Sequence, residues 1–378
     1  MKKEKIVGLV TTHFAINYGA ILQAYALHTT IKKLGYTCEV INYSPNDRLY
    51  GNKNNYNFSS LKSIVSSILL FLNVKYRDDI EKKKSRFSTF LNDFFTLSKD
   101  KYQTYEDIKK HIAQYDILIC GSDQIWNLNL LNNPIFFLEF NDVLPNAKYI
   151  AYAPSISEKL SDIQYHDILR RTSHFSAIAL REKNDANILN DMSDKKIIDV
   201  LDPIFLINQH EWKDVSIDID ISTPYILCYE VASDANFTKV LKILRKKLQY
   251  KLVCINTKPY NKHNADILLT DVSPQQFVGL IKNANFVLTS SFHATAFSVM
   301  FEKQFYTVSS KHRASRHRNL LIQLDLQSRI ITDLEKFQKE KNIEKINYTI
   351  INDKLKKLKQ KSINYLTQSL EGKYDYNS

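Results

Sequence analysis

Glycine is scarce in this chain, with 7 among 378 residues. That argues against an extended glycine-rich loop wrapped around nucleotide phosphates. Cysteine is sparser still: Cys38, Cys120, Cys228 and Cys254 lie far apart in apolar, strand-like surroundings, and no CxxC occurs. This spacing gives neither a disulfide framework nor a zinc ribbon and reads as buried free thiols of a reducing compartment. No run approaches the roughly 20 apolar residues needed to cross a bilayer. Residues 1–10 carry lysines but only a short apolar run, so they read as a first strand rather than a signal peptide. The expected location is cytoplasmic. Zinc-finger spacings, RNA-recognition signatures and basic-region zippers are missing, so no nucleic-acid partner is expected. No metal site is expected either.

What the chain does carry is positive charge and aromatic rings. Its formal net charge is +12, with lysine spread along its length, which suits an anionic substrate or an anionic membrane surface. Tyrosine (22) and phenylalanine (20) are abundant, predicting aromatic-rich cores and grooves able to stack sugars. The length allows two domains, each with its own core.

Strand-like runs alternate with helix-periodic segments in both halves. Strand 5–10, helix 20–34 and strand 38–43 form one series; strand 225–229, helix 235–248 and strand 251–256 form another. Each predicts a parallel sheet with a ligand crevice at the C-terminal ends of its strands. The expected fold is α/β, with two Rossmann-like domains and a cleft between them. The N-terminal domain is assigned to 1–215, the C-terminal domain to 216–345 and a helical tail to 346–378. A polar stretch at 212–223 reads as the linker, 45–57 as a loop, and 59–72 and 77–95 as amphipathic helices. In the tail, residues 354–361 either lie along an anionic membrane surface or form a solvated helix face.

Polar side chains gather at five strand ends. Asn17, Tyr18 and Gly19 follow the first strand and form either part of its ligand crevice or a plain strand-to-helix loop. Ser122, Asp123, Gln124 and Trp126 follow strand 116–120. They read either as a sugar site, with Trp126 stacking on a ring, or as a capping turn with a structural tryptophan. Arg181 follows strand 177–180, as a carboxylate or phosphate clamp or as an interdomain salt bridge. Thr289, Ser290 and Ser291 follow strand 286–288 and open a helix with His293 in its first turn. Such a turn favours an anion, so His293 either faces a phosphorylated substrate or packs at a helix start. Lys311, Arg313 and Arg316 belong to the densest basic cluster, 311–318, either a phosphate-side element or a solvated loop.

These stretches and Asp202-Pro203, six pieces at 17–23, 121–126, 179–182, 202–203, 289–294 and 315–326, together resemble, in order, the motifs of polysaccharide pyruvyl transferases. The resemblance implies a GT-B-like fold and an enzyme that moves the enolpyruvyl unit of phosphoenolpyruvate onto two sugar hydroxyls. The product would be a pyruvate ketal on a capsular or exopolysaccharide glycan or its lipid-linked precursor; the expected location stays cytoplasmic, at the inner face of the membrane if the lysine-rich tail lies along it. It implies phosphoenolpyruvate as co-substrate and no cofactor. The family's histidine falls on His293 and its strand-end arginine on Arg181. Thr289, Ser290 and Ser291 then lie with the donor, while Asn17, Tyr18, Gly19, Ser122, Asp123, Gln124 and Trp126 lie with the acceptor. Many members have Ser-Arg-x-His where this chain has Ser290-Ser291-Phe292-His293, so a donor contact is expected from Lys311, Arg313 or Arg316. Asp123 is the carboxylate expected to take the hydroxyl proton. A nucleotide-sugar glycosyltransferase of the same architecture, or a non-catalytic glycan-binding relative, are the other readings.

Overall fold

Apolar β-branched runs such as Ile6–Val10 and Ile117–Cys120 are buried on both faces, the environment of a parallel strand covered by helices. A computed structural model describes residues 5–45, 74–231, 234–256, 261–308, 314–339 and 342–374. The expected helix 59–72, nearly all of the expected loop 45–57, and both Lys311 and Arg313 lie outside the described residues.

The N-terminal half builds β1 (Ile6–Val10), α1 (Tyr18–Lys33), β2 (Thr37–Val40), α2 (Val74–Phe94), α3 (Tyr105–Lys109) and β3 (Ile117–Cys120). It continues through β4 (Lys148–Tyr152), α4 (Asp162–Arg171), β5 (Ala177–Leu180), α5 (Lys183–Asp191) and β6 (Ile197–Asp199). A short helix, α6 (Gln209–Val215), precedes the second half. There, β7 (Tyr225–Tyr229), α7 (Ala235–Leu248), β8 (Lys251–Ile255) and β9 (Ile267–Leu269) lead into α8 (Pro274–Asn283). Then come β10 (Phe286–Thr289), α9 (Phe292–Met300), β11 (Gln304–Val308), α10 (Ala314–Gln323), β12 (Ile330–Ile331), α11 (Leu334–Lys339) and the long α12 (Tyr348–Glu371).

Two six-stranded parallel sheets result, in the orders β2-β1-β3-β4-β5-β6 and β12-β11-β10-β7-β8-β9. Strand order reverses between β1 and β3 in the first and between β7 and β10 in the second. These are the places where doubly wound sheets open a crevice. The chain has the expected α/β, two-domain architecture.

The domains meet through side chains. Tyr18 stacks on Phe277 with centroids 4.4 Å apart and donates its hydroxyl to the Val272 carbonyl at 2.9 Å. Arg86 on α2 pairs with Asp271 at 3.1 Å. The chain then crosses between domains twice. Residues 216–224 pack on α8, where Gly279 lets the Ile217 carbonyl approach; a Cβ there would lie 2.2 Å from that oxygen. The second crossing is α12. Its first residue, Tyr348, donates to the Lys303 carbonyl at 2.5 Å, while Tyr365 donates to the Ala151 carbonyl at 2.8 Å in the other domain.

Two boundaries differ from the sequence reading. The expected linker 212–223 begins inside α6, which an Asn208–Glu211 capping box starts and whose Trp212 is fully buried. The basic stretch expected to be a loop is helical from Ala314, five residues before the expected helix start. Ile351, Tyr365, Leu366 and Leu370 on the apolar side of α12 are buried, and Lys361 pairs with Asp199. No helix among the described residues is long and apolar enough to cross a membrane.

Candidate active site

Arg181 leaves the end of β5, where Ala177–Leu180 is fully buried, and its side chain is only 4% exposed. Its Nη1 donates to Asp202 Oδ2 at 2.8 Å and its Nε to Glu182 Oε1 at 3.3 Å. Nη2 lies 3.8 Å from Asp123 Oδ1 and has no hydrogen-bond acceptor among the described residues. Burial acts to lower the guanidinium pKa; the charges of Glu182, Asp202 and Asp123 reverse that and raise it. The ring of Phe292, from the other domain, covers the guanidinium 4.5 Å away. Arg181 is therefore not an interdomain salt bridge: its ion pairs are with carboxylates of its own domain, and it meets the second domain through an aromatic face.

Asp202 follows β6 and caps a single 3₁₀ turn, its Oδ1 accepting from the Ile204 N–H at 3.1 Å. Its Oδ2, beside Arg181, lies 3.4 Å from His293 Nε2. Burial alone would raise this carboxyl, but His293 and then Arg181 hold it at about 2.

His293 is the second residue of α9, and its imidazole is wedged between Asp202 and α1. A Cβ built on Gly19 would stand 2.0 Å from His293 Nδ1. Glycine is needed at position 19 for this approach of backbone to ring.

The turn before His293 is held by its own hydroxyls. Thr289 Oγ1 donates to the Tyr229 carbonyl at 2.7 Å and accepts from the Ser291 N–H at 3.0 Å. Ser290 Oγ accepts from the Val231 N–H at 2.9 Å. Ser291, where many relatives were expected to carry arginine, caps α9 by accepting from the Ala294 N–H at 3.3 Å. The first-turn N–H groups of Phe292 and His293 have no acceptor within the helix and lie at the positive end of its dipole. From α10, Asn319 donates to the Arg181 carbonyl at 2.9 Å. With its amide oxygen turned toward α10, Gln124 accepts from Arg316 Nη1 at 2.8 Å.

A sequence model described as polysaccharide pyruvyl transferase matches residues 17–312, which include Asp123, Arg181, Asp202 and His293. The chain belongs to this family. No curated protein matches it in sequence. Among solved structures, Arabidopsis thaliana UGT89C1 complexed with quercetin superposes with a TM-score of 0.50 at 12% identity, covering 98% of this chain and 100% of its own. Methanocaldococcus jannaschii UDP-GlcNAc 2-epimerase, in complex with UDP-GlcNAc and UDP, gives 0.48 at 12% identity over 94% and 99%. The first of these likenesses concerns the fold alone, which is GT-B-like.

In this pyruvyl transferase family member the acceptor-side residues expected from sequence are not brought together on one open surface. Trp126, expected to stack on a sugar, is fully buried; it lies parallel to Phe137 and donates its N–H to the Phe136 carbonyl at 3.0 Å. Tyr18 is buried in the domain interface. Ser122 is buried, donating to the Ala153 carbonyl at 2.5 Å. Asn17 caps α1, accepting from the Gly19 N–H at 2.9 Å. Asp123, with φ of 69° and a half-buried side chain, and Gln124 remain at the cleft.

Sequence reasoning gave no role to Asp202, Glu182 or Gln23. Gln23 ties the two crevice loops together, donating to Thr11 Oγ1 and accepting from the Ser122 N–H, both at 2.9 Å. The available signal for Asp202 was a carboxylate at a strand end immediately before a proline.

Behind Arg181, Glu182 accepts from Ser155 at 2.7 Å and Asp185 accepts from Tyr165 at 2.7 Å. Burial, then the Glu182 charge, pushes the Asp185 carboxyl up to about 7 from 3.8, although the Tyr165 hydroxyl opposes this. A carboxyl whose folded pKa is raised binds protons better folded than unfolded. Its cost is absent below about pH 4 and grows until about pH 7. Asp185→Asn, which keeps the Tyr165 hydrogen bond, should raise the thermal midpoint at pH 8 by several degrees and change it less at pH 4.5. Equal shifts at both pH values would remove this assignment.

Proposed function

We propose that the chain transfers the pyruvyl group of phosphoenolpyruvate to two hydroxyls of one sugar in a cell-surface glycan or its lipid-linked precursor, releasing inorganic phosphate. The observation that carries this reading is the meeting of His293 and Arg181, from opposite domains, on the single carboxylate Asp202 beside the N-terminus of α9.

Phosphoenolpyruvate brings a carboxylate and a phosphate, and its C2 becomes electrophilic once C3 is protonated. His293, whose Nε2 lies 3.4 Å from Asp202, delivers that proton. The unengaged Nη2 of Arg181, the first-turn N–H groups of α9 and Arg316 face the anions. One acceptor hydroxyl forms a bond to C2, its proton passing to Asp123. The second hydroxyl then displaces phosphate from C2, closing the ketal; its proton leaves with the phosphate.

Incubation with phosphoenolpyruvate and galactose-containing oligosaccharides should give acceptor-dependent phosphate release and a new ketal methyl resonance by NMR. UDP release from UDP-sugars, without any ketal, would support a glycosyltransferase instead and end this proposal.

A further inference from the structure

A second cavity, of about 340 Å³, lies at the C-terminal end of the first sheet, outside the ion cluster. The loop after β1, the chain after β2 and helix α2 enclose it. That size is at the lower end of ordinary small-molecule sites, roughly 300–1,000 Å³. It suits one sugar ring and its substituents rather than a length of polymer.

The lining is mixed in a particular way. Phe14 and Phe87 supply aromatic surface, the kind on which the apolar face of a sugar ring stacks. Asn42 adds an amide. His13 is buried, at 2% exposed. Its Nδ1 is 3.2 Å from the Thr11 carbonyl, which can only accept, so that nitrogen carries the proton. Nε2 is then a bare acceptor, and it has no hydrogen-bond partner among the described residues. Burial holds this imidazole down at about 4, so it is neutral at physiological pH. A buried neutral acceptor without a donor calls for a hydroxyl.

Two ammonium groups complete the lining. Lys84 is paired with Glu81 at 2.7 Å, whereas Lys101 is solvent-exposed. Two lysines against one carboxylate leave a positive edge beside a sugar-like interior. The loop that lines the cavity continues directly into Asn17 and Gly19, and Gly19 touches His293.

We infer that this cavity is the acceptor subsite and that it takes an anionic saccharide: a hexose ring between the two phenylalanines, a hydroxyl on His13, and a phosphate or carboxylate at Lys84 and Lys101. The assignment as acceptor subsite rests on the pyruvyl-transfer reading; binding of the anionic sugar does not.

Calorimetric titration of the full chain with glucose 1-phosphate, glucuronate and glucose, without phosphoenolpyruvate, tests the binding. At least one of the two anionic sugars should bind tenfold or more tighter than glucose, and which one does so identifies the anion as phosphate or carboxylate. Lys101→Ala, at an exposed position that leaves the fold intact, should weaken that ligand several-fold. Lys84→Ala should do likewise, and His13→Phe should weaken glucose and the anionic sugars alike. Equal affinity for glucose and both anionic sugars, or unchanged binding in Lys101→Ala and Lys84→Ala, overturns the inference. Anionic sugars that bind as described but support no phosphate release would leave the site standing and remove the transfer reaction.

Discussion

His293→Ala should lower acceptor-dependent phosphate release by two to four orders of magnitude while the protein stays folded. Loss of a positioned acid commonly costs about 10²- to 10⁴-fold. The fold should survive because Asp202 keeps Arg181 as its partner when the imidazole is gone. Added imidazole should restore part of the rate, since the truncation leaves a space between Gly19 and Asp202. Stopped-flow phosphate detection, with circular dichroism to confirm folding, makes the measurement. A variant within tenfold of the parent rate sinks His293 as the acid.

Gly19→Ala sets two expectations against each other. Position 19 lies in the first turn of α1, where alanine for glycine ordinarily stabilises a helix by about 0.5–1 kcal/mol. Here the new methyl would stand 2.0 Å from His293 Nδ1 and 2.6 Å from its Cε1. The methyl is fixed to the backbone, so the imidazole must leave its place beside Asp202. The expected result is a loss of turnover of a hundredfold or more, with a lower rather than higher thermal midpoint. Full activity in Gly19→Ala would show that the ring does not work from this position.

Much of the architecture was legible because it depends on local signals. Ser273 followed by Pro274 located α8, and the apolar run 225–229 matched β7 end for end. Helix starts without such signals were misplaced. Nothing local marks residue 314 as helical; α6 does carry a capping box, Asn208 with Glu211, which went unread, so its last residues were assigned to the linker 212–223. The site was legible as residue types but not as partners. His293 and Arg181 are visible from their places at a helix start and a strand end. Their shared dependence on Asp202 is not, because that carboxylate lies 91 residues from one and 21 from the other and is joined to them only by tertiary folding. Aromatic residues misled for a related reason. A tryptophan after a strand can face a sugar or the core, and Trp126 faces Phe137 because packing, not sequence position, decides the side.

The two passages of the chain between domains, 216–224 and α12, also limit how the cleft can move. A body tethered at two separated points can swing only about the line that joins them. Tyr365 on Ala151 and Ile217 on Gln275 anchor these two passages, one to each domain. Asp202 and His293 lie on opposite sides of that cleft, so a swing that opens it changes their separation. The same swing that admits a substrate would part the acid from its carboxylate, and closing would rejoin them.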